Sequence, residues 1–575
     1  MRVAEAIGRG LVACGVRTCF GVVGSGNFHV TNALIDAGAR FVAAAHEGGA
    51  ATMADAYART SGELAALSVH QGPGVTNALT GVAEAAKSRT PLVVLAPEAT
   101  AARSNFRIDL ASAATAVGAT FHRVRAERVD EDVAHACRTA VAGAGRTVVL
   151  GMPLDVQAAP AGGDRPGTPP LPGGSPAAGS PAAGSPAAGS PAAGDRPPPP
   201  DPGGGPAPSA DQVRALVELL RAARRPVFIA GRGAARGRER ARTALAALAQ
   251  ACGALLAVSA SAKGLFAGDP WYLDVSGGFA SPLAAELISA SDVVVAWGSS
   301  LNMWTTRHGR LIPRGTTVAQ VDLEPGALGT HRPVDLGVVG DVVAVAEAVA
   351  AELSGHRATG WRTPEVGGRL AAGVRWRDVS YVDTSADGRI DPRTLTVALD
   401  DLLPDERTVA VDSGNFMGWP SMYLSVPDAA GSCFTQAYQS VGLGLASAIG
   451  AAVARPDRLT VAALGDGGFL MSVAELATAV RLGLPLLVVV YNDAAYGAEV
   501  HHFGPDEPLQ TVTFPDTELA RIGEGFGGVG LTVRSAADLA GVREWLASPR
   551  DRPLVVDAKI TRIASWWLEE AFRGH

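Results

Sequence analysis

A chain of 575 residues exceeds what a single hydrophobic core supports and calls for roughly three or four domains. It is 47% hydrophobic and 18% charged, a globular composition, and its net charge of −7 excludes nucleic acid as a partner while leaving an anionic small substrate open, since local fields can oppose net charge. Cys14, Cys19, Cys137, Cys252 and Cys433 are scattered with no CxxC pair, which excludes a disulfide framework and a zinc cluster and fits a reducing cytoplasm. No apolar run reaches the ~20 residues of a membrane span, and the opening MRVAEAIGRGLVACGV reads as an amphipathic helix rather than a signal peptide, so no membrane partner is expected.

Along residues 1–158, short β-rich runs (TCFGVV, FVAAAH, LAALSVH, PLVVLAP, TVVLGMP) alternate with Ala-rich helical stretches, the pattern of βαβ units around a mostly parallel sheet. Residues 159–209 are dominated by Pro, Gly, Ala and Ser, with SPAAG in tandem from Ser175. Such a stretch cannot bury enough apolar surface to offset its ordering entropy, so it reads as a disordered linker. Residues 210–350 resume the alternation: a helix at QVRALVELLRAA, then strands PVFIAG, DVVVAWG and TTVAQVDL. A second connector covers 351–388. Residues 389–575 alternate again through TVAVDSG, LTVAALGD, LPLLVVVYND and PLVVDAKI. The expected fold class is therefore α/β, with three doubly wound parallel-sheet domains. Ligands of such sheets lie outside the carboxyl ends of the strands, and the chemistry is sought there.

The strongest signal is LGDGGF at 464–469, followed by VVVYNDAAYG at 488–497. The first segment ends a strand and turns. Gly465, Gly467 and Gly468 remove side chains where backbone must approach a ligand closely. Asp466 projects a carboxylate, and the helix LMSVAELATAVRLG then opens toward the same place, which favours a phosphate. The next strand delivers Asn492 and Asp493 to the same sheet edge. Two carboxylates with a backbone carbonyl suit Mg²⁺ whose octahedron is completed by phosphate oxygens and water. Taken alone, a GDG tripeptide is more often a plain turn.

The pair GDG…ND closely resembles the thiamine-diphosphate signature, and the likeness extends through almost the whole chain outside the linker. It looks like the superfamily of acetolactate synthases, benzoylformate decarboxylases and pyruvate decarboxylases. The resemblance implies pyrimidine-binding, central and diphosphate-binding domains, in that order. It makes the side chains of Asp466 and Asp493 and the carbonyl of Ala495 the metal ligands, with Asp493 where the family usually has a second Asn. It adds Asn492, Tyr496 and Gly497 as cofactor contacts. QSVGLGLASAIGAAVARPDR at 439–458 matches the segment before GDG and places Val441 as the apolar support under a bent cofactor. DSGNF at 412–416 matches the diphosphate loop and implicates Gly414, Asn415 and Phe416.

The second strong signal is AAAHEGGAATMADAYARTSG at 43–62, followed by GPGVTNALTG. A Glu opening a helix is ordinarily a stabilising charge at the dipole. Here the resemblance implies that Glu47 hydrogen-bonds the aminopyrimidine ring and activates the cofactor by proton exchange, which calls for a dry pocket. It also implies that Glu47 and the metal site meet across a subunit interface, so that the enzyme is a homodimer or homotetramer. Ser25 (in FGVVGSGN) and His70 (in LSVHQGPG) lie where benzoylformate decarboxylases carry active-site Ser and His, with a turn-capping serine the plain alternative for Ser25. Glu499 lies where pyruvate decarboxylases carry a catalytic Glu. His501 and His502 replace the Gln-Trp pair by which acetolactate synthases take their second substrate. In the central domain FIAGRGAARG departs from GxGxxG, and although Asp322 lies where relatives approach a nucleotide, FAD is possible but not favoured. The implied activity is decarboxylation of a 2-oxo acid followed by ligation to an aldehyde or ketone acceptor. Simple decarboxylation with release of an aldehyde and a non-catalytic thiamine-diphosphate-binding module are the alternatives.

Overall fold

The computed structural model describes residues 1–162, 205–504 and 506–565. The tandem SPAAG units, and with them the linker expectation for most of 159–209, lie outside the described residues. Two compact units divide the chain, the first carrying one sheet and the second carrying two.

The first sheet has strands β1 (Thr18–Gly21), β2 (Arg40–Ala43), β3 (Ala65–Ser68), β4 (Leu92–Glu98), β5 (Thr120–Arg123) and β6 (Thr147–Pro153). The second has β7 (Pro226–Ala230), β8 (Leu255–Val258), β9 (Tyr272–Val275), β10 (Val293–Trp297), β11 (Thr317–Asp322) and β12 (Leu336–Val339). The third has β13 (Arg407–Val411), β14 (Ser432–Phe434), β15 (Leu459–Gly465), β16 (Leu486–Asn492), β17 (Val529–Val533) and β18 (Leu554–Lys559). All pairings between these strands are parallel. Three doubly wound α/β domains are therefore the architecture, as the alternating pattern predicts.

The first and third sheets share one topology. Their orders are β2-β1-β3-β4-β6-β5 and β14-β13-β15-β16-β18-β17, so each reverses direction beside its first strand. The middle sheet, β12-β11-β10-β7-β8-β9, instead has the order of dinucleotide-binding folds, with its switch between β7 and β10. Central strands such as β15 and β16 are buried along almost their whole length, which explains their unbroken Val, Leu and Ala runs. The strands absent from the sequence reading, β5, β8, β9, β12, β14 and β17, have at most five residues each, and β5 and β17 are half-exposed edges. In the second unit the two sheets share one core, in which Phe228, Trp297 and Val338 join Val409, Val461 and Val489. Part of the 351–388 connector is built into the central domain, where Trp361, Val366 and Leu370 are buried. No helix among the described residues is long and apolar enough to cross a membrane.

At the central switch point the glycines serve packing. The Gly231 amide donates to Trp297 O at 2.8 Å and the Gly233 amide to Gly298 O at 3.0 Å. A Cβ at Gly298 would lie 2.6 Å from Gly233 Cα, and its φ of +56° is one that side-chain-bearing residues rarely adopt. These glycines let two loops of the protein pack backbone to backbone. Gly298→Ala is accordingly expected to cost about 1–3 kcal/mol through overpacking, read as a lower midpoint in urea unfolding followed through the buried Trp297.

Candidate active site

In the first unit, β2, β1 and β3 are neighbours, so the loops after them open at one sheet edge, the switch point of that sheet. The loop after β1 is a tight turn. Asn27 Oδ1 accepts the Gly24 amide at 2.8 Å, and its Nδ2 donates to Ser68 Oγ at 2.9 Å, which leaves Ser25 exposed at the tip. After β2, His46 caps the helix Glu47–Ser61 by accepting the Gly48 amide at 3.0 Å. Glu47 is thus its first residue, and its carboxylate accepts from Asn77 Nδ2 at 3.1 Å. Within one chain Glu47 is half-buried rather than enclosed in a dry pocket. After β3, His70 Nδ1 accepts the Gly26 amide at 3.4 Å, and the ring meets Phe106 edge-on at 5.5 Å. Gln71 beside it is buried, and its Oε1 has no partner among the described residues. The fold thus gathers Ser25, Glu47, His70 and Gln71 at one edge. Asn77 is the residue that sequence reasoning passed over, although it lies in the quoted GPGVTNALTG.

In the third sheet, β13, β15 and β16 are neighbours and their loops converge in the same way. Gly465 pairs with Tyr491, so Asp466 and Asp493 leave adjacent strands at nearly the same level. Both carboxylates are buried. Burial raises Asp466 from its ordinary value to about 6. Burial, and then the charge of Asp466, raise Asp493 to about 7. Two negative groups deprived of water in one place fit a hard divalent cation, which would restore both to their charged form. No group of three or more His, Cys, Asp or Glu side chains is arranged to hold a metal among the described residues. The pair therefore needs backbone and ligand oxygens to complete a coordination shell. The helix here begins at Asp466 itself, Asp466–Ser472, four residues before the expected start.

Several of the expected cofactor contacts also hold the protein's own structure. Asn492 Nδ2 donates to Asp557 Oδ1 at 2.8 Å and its Oδ1 accepts the Ala494 amide at 3.1 Å, so this side chain shapes the turn that presents Asp493. A Cβ at Gly467 would collide with the Tyr496 ring, one at Gly468 with Asp412 Oδ2, and one at Gly465 would lie 3.0 Å from Phe416. The GDGG glycines thus make room for protein side chains. Phe416 stacks on Tyr491 at 5.6 Å. Tyr496 packs edge-on against Phe514 at 4.7 Å. Gly497 admits Asp493, whose Oδ2 would lie 2.6 Å from a Cβ there. Asn415 Nδ2 donates to Ile563 O at 2.9 Å, and its Oδ1 accepts the Ser565 amide at 2.9 Å. Gly414 supplies a φ of +139° where the strand end turns into this loop. Val441 is 37% exposed beside Gly468, an apolar side chain facing open space.

Glu499 and His501 lie on the helix Gly497–Phe503, and both are half-buried. Burial and the charge of Arg562 hold the His501 imidazole below its ordinary value, and its Nε2 has no hydrogen-bond partner among the described residues. His502 is exposed.

Two further residues organise this site. Arg562 donates from Nε to Asp493 O at 2.8 Å and from Nη2 to Ala494 O at 3.1 Å. Asp412 is fully buried and accepts the amides of Ser413, Gly442 and Leu443 at 2.8, 3.0 and 3.2 Å. It thereby fastens the 439–444 loop bearing Val441 to the end of β13. An Asp at a strand end was visible in DSGNF, but nothing local shows that its partners lie thirty residues on.

A chain with three doubly wound parallel sheets, strand-end loops converging at the switch points of the first and third, and a buried carboxylate pair in the third has the build of a multidomain cofactor enzyme. Residues 1–118 match the thiamine pyrophosphate enzyme N-terminal TPP binding domain, 213–349 the central domain and 412–558 the C-terminal TPP binding domain. The chain belongs to the thiamine pyrophosphate enzyme family. It is 27% identical over 572 residues to the sulfoacetaldehyde acetyltransferase of Rhodobacter capsulatus, covering 94% of this chain and 90% of that protein. It is 29% identical to a probable 2-ketoarginine decarboxylase of Pseudomonas aeruginosa, over 86% of this chain and 82% of that one. With the acetolactate synthase of Mycobacterium bovis it shares 25% identity over 98% of this chain and 89% of that one. Among solved structures, the thiamine diphosphate-dependent 4-hydroxybenzoylformate decarboxylase of Rhodococcus jostii superposes with a TM-score of 0.77 at 21% identity, covering 98% of this chain and 100% of that one, a likeness of fold.

Asp412 yields a prediction with a defined sign. Burial holds its carboxyl at about 6, above the ordinary 3.8, so the native state binds this proton more tightly than the unfolded chain does. Its contribution to stability is therefore full below about pH 4 and is lost as pH rises through about 6. Asp412→Ala removes that dependence and leaves three amides without this acceptor, at about 1–3 kcal/mol for a buried group left unsatisfied. Thermal melting of wild type and variant between pH 4 and 8 measures both effects.

Proposed function

We propose that this chain is a thiamine-diphosphate- and Mg²⁺-dependent enzyme that decarboxylates a 2-oxo acid and transfers the resulting acyl unit to an acceptor carbonyl. The observation that carries the reading is the buried pair Asp466 and Asp493, set on adjacent strand ends beside the Ala495 main chain in a chain of this family. When bound, the cofactor supplies the electron sink that lets CO₂ depart from a 2-oxo acid. The protein does the rest. Asp466, Asp493 and the carbonyl of Ala495 hold the cation, and Asn492, Asn415 and Tyr496 shape the loops around it. Val441, exposed beside Gly468, supports the cofactor body. Glu47 accepts and returns a proton at the pyrimidine end, and Asn77 keeps its carboxylate oriented. His70 and Glu499 are the ionisable groups offered to the substrate, and Ser25 the hydroxyl. The active assembly is a homodimer or homotetramer. A flavin is possible but not favoured.

Transfer is supported by the acetyltransferase and synthase names of two relatives. The second reading is decarboxylation with protonation and release of an aldehyde. It is favoured by Glu499, a half-buried carboxyl at the start of a helix where acetolactate synthases carry an apolar residue, and by the decarboxylase name of another relative. Both readings are tested by incubating the protein with Mg²⁺, thiamine diphosphate and a panel of 2-oxo acids, with and without acceptor aldehydes, while following CO₂ and organic products. Ligated products support transfer, free aldehyde supports the second reading, and no CO₂ from any member refutes both. Glu47→Gln should leave cofactor affinity near wild type while lowering turnover by about 10²-fold or more, the range of a positioned proton transfer. Calorimetric titration beside initial rates checks it, and rates at the wild-type level remove Glu47 from the mechanism.

A further inference from the structure

Arg562 lies in the last described segment of the chain, just beyond the strand run PLVVDAKI and 69 residues after Asp493, yet it grips the turn that presents Asp493. Its Nε and Nη2 donate to two successive carbonyls, Asp493 O at 2.8 Å and Ala494 O at 3.1 Å. That turn needs support, because Ala494 has a φ of +56°, a left-handed conformation unfavourable for a residue with a Cβ. The second of these bonds has a directional consequence. In a trans peptide the C=O and the following N–H point opposite ways. Holding Ala494 O toward Arg562 turns the Ala495 amide the other way, and it donates to Asp466 Oδ2 at 3.1 Å. One guanidinium thus orients the Asp493 turn directly and the Asp466 carboxylate through a single peptide plane.

The backbone around Arg562 is itself fixed. The Thr561 amide donates to Ile390 O at 3.0 Å, and Asn415 clamps Ile563 and Ser565. Arg562 is also the cation whose field reaches both buried carboxylates. A site with two acidic side chains carries one more negative charge than a site with one acid and one amide, and that excess opposes a bound diphosphate.

We propose that Arg562 is a positioning residue of the cation and diphosphate site, which fixes the Asp493–Ala495 turn by a two-carbonyl fork and offsets the charge of the second carboxylate. The inference rests on Asp466 and Asp493 being the cation ligands. The test is calorimetric titration of the full-length protein with thiamine diphosphate at fixed Mg²⁺, together with the melting midpoint of the cofactor-free protein. The variants are Arg562→Met, Arg562→Lys, Asp493→Asn, Arg562→Met with Asp493→Asn, and Asp466→Ala. Arg562→Met should weaken binding roughly 10–100-fold, as loss of a partner behind a metal ligand typically does. Adding Asp493→Asn should recover about tenfold of that loss, because the uncompensated charge is gone. Arg562→Lys keeps the charge without the planar fork and should fall between wild type and Arg562→Met. Wild-type affinity in Arg562→Met overturns the proposal, as does a double variant no tighter than Arg562→Met. Should Arg562→Met not fold, Arg562→Lys decides: a loss of about threefold or more upholds the fork, and wild-type affinity overturns it. Asp466→Ala separates the two levels. If it binds as wild type, the ligand reading falls. If it loses binding while Arg562→Met does not, only the role of Arg562 falls.

Discussion

The parallel register of β15 and β16 is the constraint on which the third domain depends. With Gly465 opposite Tyr491, two carboxylates leave neighbouring strands together and are buried together. That arrangement is costly, because neither group keeps its water and each opposes the charge of the other. The surrounding structure answers the cost. The Ala495 amide reaches Asp466, Arg562 reaches the carbonyls of the next turn, and Asn492 is anchored to Asp557, which in turn accepts from the Leu519 amide at 2.8 Å. A one-residue slip between these strands would separate the pair and turn one carboxylate to the other face of the sheet.

The first and third sheets share one strand order, and each offers the crevice beside its first strand. They use it differently. In the first, a carboxylate at a helix start and an imidazole just past a strand end are both half-buried. In the third, acids are enclosed and backbone amides are directed onto them. One topology thus carries two electrostatic environments, set by the residues at its strand ends.

Much of this was legible in the sequence. Fold class follows from alternation of apolar runs with helical stretches, and the places of Glu47, Asp466 and Asp493 at strand ends or helix starts follow from the punctuation around them. What stayed hidden has a common physical cause, since it depends on long-range pairing. The GDGG glycines look alike as letters, but Tyr496, Asp412 and Phe416 fill the spaces they leave, and no local pattern announces those partners. Arg562 and Asp412 were missed for the same reason. Edge strands such as β5 and β17 were missed because half-exposure weakens the hydrophobic run that identifies a strand. Asn77 was within reach, in a segment already singled out, and needed only the question of what an amide could hold near Glu47.

The clamp between Asn415 and the Ile563–Ser565 backbone bears on how the molecule assembles itself. Its two hydrogen bonds join residues 148 and 150 positions apart, and the chain between them contains most of the third sheet. Loops closed over such distances form late, because the closure entropy is met only after the intervening strands have paired. The central strands can collapse on their own hydrophobicity, whereas the loop after β13 and the turn after β16 acquire their final shape only when β18 has docked and the segment beyond it has folded back. Competence to hold a ligand is thus one of the last properties this domain acquires on the way to its native state, and one of the first it loses when its C-terminal segment detaches.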